Sequence, residues 1–144
     1  MFLGEFHCPT DSEGWMTVPP EFRGELMEGA TLTRGIERCL LVYPAAEWQK
    51  LADKMQNRLP LTSRRARGFG RLMFSGALTC VPDQLGRIRL PDRLRQYASI
   101  KDEVVVVGLV SHLEIWSPPQ WQETSAALAD DAVALAEELG EFGV

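Results

Sequence analysis

The chain matches itself. At a shift of 72 residues Gly4, Cys8, Asp11, Gly14, Pro19 and Arg23 fall on Gly76, Cys80, Asp83, Gly86, Pro91 and Arg95. One inserted residue moves the shift to 73, and Gly35, Leu40, Trp48 and Gln49 then fall on Gly108, Leu113, Trp121 and Gln122. Ten identities in one order with a single gap mark a duplication. Two copies are too few for a stacked array. A unit of about 46 residues also has too little core to stand alone. The repeat therefore predicts a pseudo-dimer within one chain, with both copies packed around a shared β core.

Each copy reads as ββαββα. A short strand ("GEFHC", "GALTCV") leads into a turn with Asp first and Gly fourth, the type I preference. A second strand follows ("WMTV", "RIRL"), with Met16 and Val18, or Ile88 and Leu90, alternating inward. Proline ends it and starts a helical turn ("PPEFRGEL", "PDRLRQYA"). Two further strands ("TLTR" and "CLLVY"; "EVVVVG" and "HLEIW") precede a closing helix. In the first closing helix Trp48, Leu51, Met55 and Leu59 form an apolar stripe. The second predicts a longer one, with Trp121, Leu128, Ala132, Leu135 and Leu139 on one face. The segment joining the copies predicts a helix with Arg64, Arg67 and Arg71 as a basic ridge, although Gly68 and Gly70 each cost it about 1 kcal/mol against alanine.

Charge matters here through its distribution. The net charge is −5, yet residues 60–95 hold eight arginines against Asp83 and Asp92, and residues 122–144 hold six acids and no base. The middle of the chain can thus face phosphate despite the acidic total. No apolar run reaches the roughly 18 residues of a membrane span, and "MFLGEF" lacks the features of a signal peptide. Three cysteines without metal-ligand spacing suit a reducing compartment, with Cys8 and Cys80 as packing residues on strands. No nucleophile elbow, zinc-protease motif, phosphate loop or paired-cysteine zinc site occurs. His7 and His112 read as ordinary strand residues. The stretch "RGFGRLMF" approaches an RNA-recognition signature, but Arg71 stands where a stacking aromatic is required.

"MFLGEF", "LVYPAAEW", "PLTSRRAR…RLMFSGA", "PDQLGRIRLPDRLRQYA", "VVVVG" and "LEIWS" occur in that order. Together they closely resemble the MraZ family, from Met1 to about Trp121. The resemblance implies an α+β fold of two tandem, pseudo-two-fold AbrB-like swapped-hairpin β-barrel halves with short flanking helices. It places a first AbrB-like domain at residues 5–50, a helical linker at 51–77, a second AbrB-like domain at 78–121 and an acidic C-terminal helix at 122–144. It also implies a cytoplasmic, nucleoid-associated transcriptional regulator of the division and cell-wall gene cluster. Such a regulator binds repeated promoter DNA as a ring of several subunits. The alternative within the family is an assembly protein with weakened DNA binding; an RNA-binding protein is the more distant reading. No enzyme activity, cofactor, metal, membrane or small-molecule substrate is expected.

The family's DNA-binding hallmark is Asp-x-x-x-Arg in each half. Asp83 and Arg87 match it, whereas Asp11 is followed by Trp15 where the arginine belongs. The candidate DNA-binding residues are Arg87, Asp83, Arg89, Gly86, Arg93 and Asp11. Gly86 permits the turn, Asp83 caps it or orients Arg87, and Arg87 and Arg89 share the face away from the core. Arg93 and Arg95 read equally as phosphate contacts or as solubility residues. Trp15 admits three readings: packing at a hairpin or subunit boundary, contact with DNA, or an incidental loss.

Overall fold

Pairing between the copies, added to one hairpin within each, organises the chain. The computed structural model describes residues 1–143 and is α+β, with antiparallel strands throughout. The first copy supplies β1 (Phe2–Pro9), β2 (Trp15–Thr17), α1 (Pro20–Leu26), β3 (Ala30–Arg34), β4 (Leu40–Pro44) and α2 (Ala45–Arg58). After α3 (Arg64–Ser75), the second supplies β5 (Leu78–Cys80), β6 (Arg87–Arg89), α4 (Asp92–Tyr97), β7 (Glu103–Val110), β8 (Leu113–Trp116) and α5 (Pro118–Asp130). A last helix, α6 (Ala132–Leu139), ends in a short 3-10 turn. Val144, the end of the acidic segment assigned to residues 122–144, lies outside the described residues.

Six strands form one sheet in the order β1-β7-β8-β4-β3-β5, which reads the same when the copies are exchanged. The first strand of each copy leaves its own unit and pairs with the third strand of the other, β1 on β7 and β5 on β3. The second strands meet as a separate two-stranded ribbon, β2 on β6. Within the ribbon Met16 lies opposite Ile88, so the pseudo-two-fold axis passes between these equivalent residues.

Both faces of the sheet are covered. On one face Leu32, Leu40, Val42, Val104, Val106, Leu113 and Ile115 pack against Met16, Val18, Ile88 and Leu90 of the ribbon region and Phe22, Leu26 and Leu94 of α1 and α4. On the other, Leu41, Val105, Val107 and Trp116 meet Trp48, Leu51 and Met55 of α2, Phe69, Met73 and Phe74 of α3, and Trp121 of α5. The run Val104–Val107 has no polar alternation because its side chains feed both layers in turn. α3 persists despite its glycines because Ser63 caps Ala66 N–H (3.1 Å) and three of its apolar side chains dock on the sheet.

The structure corrects several sequence expectations. Leu40 lies opposite Ile115 and Val42 opposite Leu113, which confirms the shift of 73 for β4 and β8. Leu32, however, faces Val42 as Val106 faces Ile115, so β3 corresponds to β7 at a shift of 74. The match of Gly35 with Gly108 is therefore fortuitous; Arg34 is the structural counterpart of Gly108. His112 sits in the β7–β8 turn, stacked on Tyr43 at 4.5 Å, rather than on a strand. The RNA-like stretch "RGFGRLMF" is helical, whereas its signature requires a strand. The C-terminal stripe is interrupted at Asp131, and only Trp121 of its large side chains is packed in the sheet's helical layer. Leu128 and Leu139 are exposed, and neither belongs to a core cluster of the described residues.

Candidate nucleic-acid interface

The two turns that launch the ribbon strands share one hydrogen-bonding scheme. In the first, Gly14 N–H donates to Asp11 carbonyl oxygen (3.0 Å) and Asp11 N–H to Trp15 carbonyl oxygen (3.0 Å). Asp11 Oδ1 accepts the peptide N–H groups of Glu13 (3.0 Å) and Trp15 (2.9 Å). In the second, Gly86 N–H reaches Asp83 and Asp83 N–H reaches Arg87, both at 2.9 Å. Asp83 Oδ1 accepts Leu85 and Arg87 N–H at 3.0 and 2.8 Å. Such side-chain capping is what a short acid offers a tight turn. The second turn then adds a bond the first lacks: Arg87 Nε donates to Asp83 Oδ2 at 2.9 Å. The Arg87 peptide N–H, aided by its guanidinium, holds the Asp83 carboxyl below its usual range.

Glycine is required in both turns for two reasons. Gly14 and Gly86 have φ of +92° and +76°, which side chains disfavour. Each also lies under an arginine of the opposite copy. A Cβ on Gly86 would stand 2.3 Å from Arg23 Nε, and one on Gly14 would stand 2.2 Å from Leu90 carbonyl oxygen and 2.8 Å from Arg95 Nε. Arg23 Nε donates to Val18 carbonyl oxygen (2.8 Å), while Arg95 donates to Ser12 carbonyl oxygen and Asp92. Arg95 is therefore a largely covered brace between the copies, with 14% side-chain exposure. The signal was present in the repeat, since Arg23 and Arg95 are equivalent positions.

Period-two alternation turns Met16 and Ile88 into the core and leaves Trp15, Thr17, Arg87 and Arg89 on the outer face of the ribbon. There the Arg87 guanidinium carbon lies 5.1 Å from the centre of the Trp15 ring. Among the described residues, neither terminal nitrogen of Arg87 has a hydrogen-bond partner. Arg89 is exposed, its Nε tied to Glu13 carbonyl oxygen at 2.9 Å. The ribbon thus gathers Asp11, Asp83, Gly86, Arg87 and Arg89. It leaves out Arg93, which is exposed on α4 and lines a cavity of about 290 Å³ with Arg34, Ser75, Leu78, Pro91 and Tyr97.

Arg64, Arg67 and Arg71 are exposed on α3, which packs on the sheet face opposite the ribbon. The two basic features of one chain therefore address different sides. Among the described residues no cluster of His, Cys, Asp or Glu could hold a metal ion, and no helix is long and apolar enough to cross a membrane. The three cysteines are unpaired, and burial pushes the Cys80 thiol up to about 11 and Cys39 to about 12.

A family model described as "MraZ protein, putative antitoxin-like" matches residues 1–72 and again 73–139, dividing the chain at the period of its own repeat. Among curated relatives, the "Transcriptional regulator MraZ" of Herpetosiphon aurantiacus is 46% identical over the full length of both chains. That of Alkaliphilus metalliredigens is 45% identical over 97% of this chain and 99% of its own. That of Moorella thermoacetica is 42% identical over the whole of both. Matched twice by the family model and end to end by these relatives, the chain belongs to the MraZ family.

Proposed function

We propose that the chain is a sequence-specific regulator of transcription that reads repeated promoter DNA of the division and cell-wall gene cluster with its β2–β6 ribbon. It works as a nucleoid-associated ring of several subunits. The observation that carries this reading is Arg87: its Nε is fixed by Asp83 while, among the described residues, both terminal nitrogens lack a partner on the outer face of a two-stranded ribbon. A ribbon of that kind fits the major groove, and a guanidinium fork matches the O6 and N7 acceptors of guanine. The relatives' shared name supports regulation rather than catalysis. The exchange of β1 and β5 between copies supports tandem AbrB-like swapped hairpins as the fold. One Arg87 per chain makes a weak isolated reader, and a ring raises affinity by engaging adjacent DNA repeats together.

The test compares the wild type with Arg87→Ala on a duplex from immediately upstream of the protein's own coding sequence and on a scrambled duplex. A bidentate base contact contributes about 1–3 kcal/mol, so its loss should lower operator affinity roughly 5- to 150-fold per site. Affinity for the scrambled duplex should change far less, and the mass of the assembly should not change. A variant of normal mass that still protects the operator would overturn the reading. An assembly that binds neither duplex in a salt-dependent way would favour the family's alternative, an assembly protein acting through protein contacts.

A further inference from the structure

We propose that Trp15 is a positioning residue for Arg87: its indole holds the guanidinium in its reading orientation and leaves each ribbon one arginine at the motif position. This deepens the DNA-binding reading above and rests on it. Trp15 and Arg87 are equivalent positions of the repeat, related by the axis between Met16 and Ile88. The ribbon register sets Trp15 opposite Arg89 and Thr17 opposite Arg87, so Trp15 and Arg87 meet on the diagonal of one face. A symmetric ribbon would bring two guanidinium groups together there. With tryptophan in one repeat, repulsion between like charges is replaced by attraction of a cation to an aromatic face.

The contact has the geometry this role needs. Asp83 Oδ2 fixes Nε at 2.9 Å, and the Trp15 ring lies 5.1 Å from the guanidinium carbon. A guanidinium is planar, with its N–H groups radiating in the plane. With the guanidinium carbon over the ring and Nε on Asp83, the terminal N–H groups have no hydrogen-bond partner among the described residues. Two anchors also order a long side chain before DNA arrives, which lowers the entropy lost on binding. Trp15 is half-buried under an arginine of its own chain, so its cover does not require a neighbouring subunit.

The experiment uses the full chain carrying Trp15→Phe or Trp15→Leu, each with Arg87 intact or replaced by Ala. Binding is followed by anisotropy on the upstream and scrambled duplexes, at low salt so that residual affinity is measurable. Loss of a solvent-exposed cation–aromatic contact should weaken operator binding about two- to fivefold in Trp15→Leu. Trp15→Phe should retain most of the affinity, and neither change should matter once Arg87 is absent. Equal losses with and without Arg87 would overturn the proposal. A DNA-free measurement separates it from the reading it rests on. The emission contributed by Trp15, taken as wild type minus Trp15→Phe, should shift in Arg87→Ala. An unchanged emission would refute the stack even if Arg87 reads DNA. A shifted emission with unaltered DNA binding would refute the reading, and the positioning role with it.

Discussion

The turn at Asp11–Trp15 and the turn at Asp83–Arg87 can be superposed bond for bond. Their two backbone bonds and two carboxylate-to-peptide bonds differ by no more than 0.1 Å between copies. Yet only one of them ends in a cation that its aspartate can hold. The comparison divides the Asp-x-x-x-Arg motif into parts with different physics. Aspartate and glycine build the turn, and do so equally well beside a tryptophan. The arginine is an addition to a turn already complete. Asp11, without an arginine after it, still caps its turn in full.

The largest expected effect breaks the symmetry of the glycines. Gly14→Ala places a Cβ 2.2 Å from a backbone carbonyl oxygen, whereas Gly86→Ala meets the Arg23 side chain, which can move only by releasing its bond to Val18 carbonyl oxygen. Both carry the positive-φ penalty, and Gly14→Ala should lose about 3 kcal/mol of stability, Gly86→Ala nearer about 2. Thermal melts of the two variants decide this, and equal midpoints would show that the turns yield alike. Next come the aspartates. Asp11→Ala and Asp83→Ala should each lower the melting midpoint by uncapping a turn. Only Asp83→Ala should also reduce operator affinity, because only it removes the bond that orients an arginine. The pH dependence follows the same asymmetry. The folded-state pKa of Asp83 is depressed, so its contribution is present above the ordinary carboxylate range and disappears only as pH falls through that lowered value. Carboxyl chemical shifts followed through an acid titration would reveal it.

Much of this was legible in advance. The duplication named the strands, and their alternation identified which side chains face inward. Strand partners were not legible, because periodicity assigns a residue to a face and says nothing of which strand lies beside it. Valine at 104–107 is equally consistent with any central position. The bracing contacts of Arg23 and Arg95 were hidden for a related reason: an arginine over a glycine of the other copy makes sense only once the copies interlock. The inward alternation of Met16 and Val18 puts Trp15 on the outer face, but its neighbour Arg87 is distant in sequence and adjacent only across the ribbon.

The comparison sharpens further on the opposite side of the sheet. Arg67→Glu on α3 should leave the ratio of operator to scrambled affinity within about twofold, since α3 and the ribbon face opposite directions. A collapse of operator affinity would mean that DNA wraps the assembly. The smallest effect should come from Gly68→Ala. Its Cβ enters open space on an exposed helical turn, and stability should rise by about 0.4–1 kcal/mol in a denaturant melt.

The strand exchange also sets a timetable for folding. Phe2 pairs with Val110 and Pro9 with Glu103, so β1 leaves the ribosome long before its partner exists. Pairings this distant in sequence form slowly, because the chain must close a long loop before any contact rewards it. Through that interval β1 is an unpaired strand with Phe2, Phe6 and Cys8 uncovered, open to the β7 of another nascent copy before its own is made. Neighbouring ribosomes on one message would supply such copies at high local concentration, and the same swap that completes one chain would then tie two together.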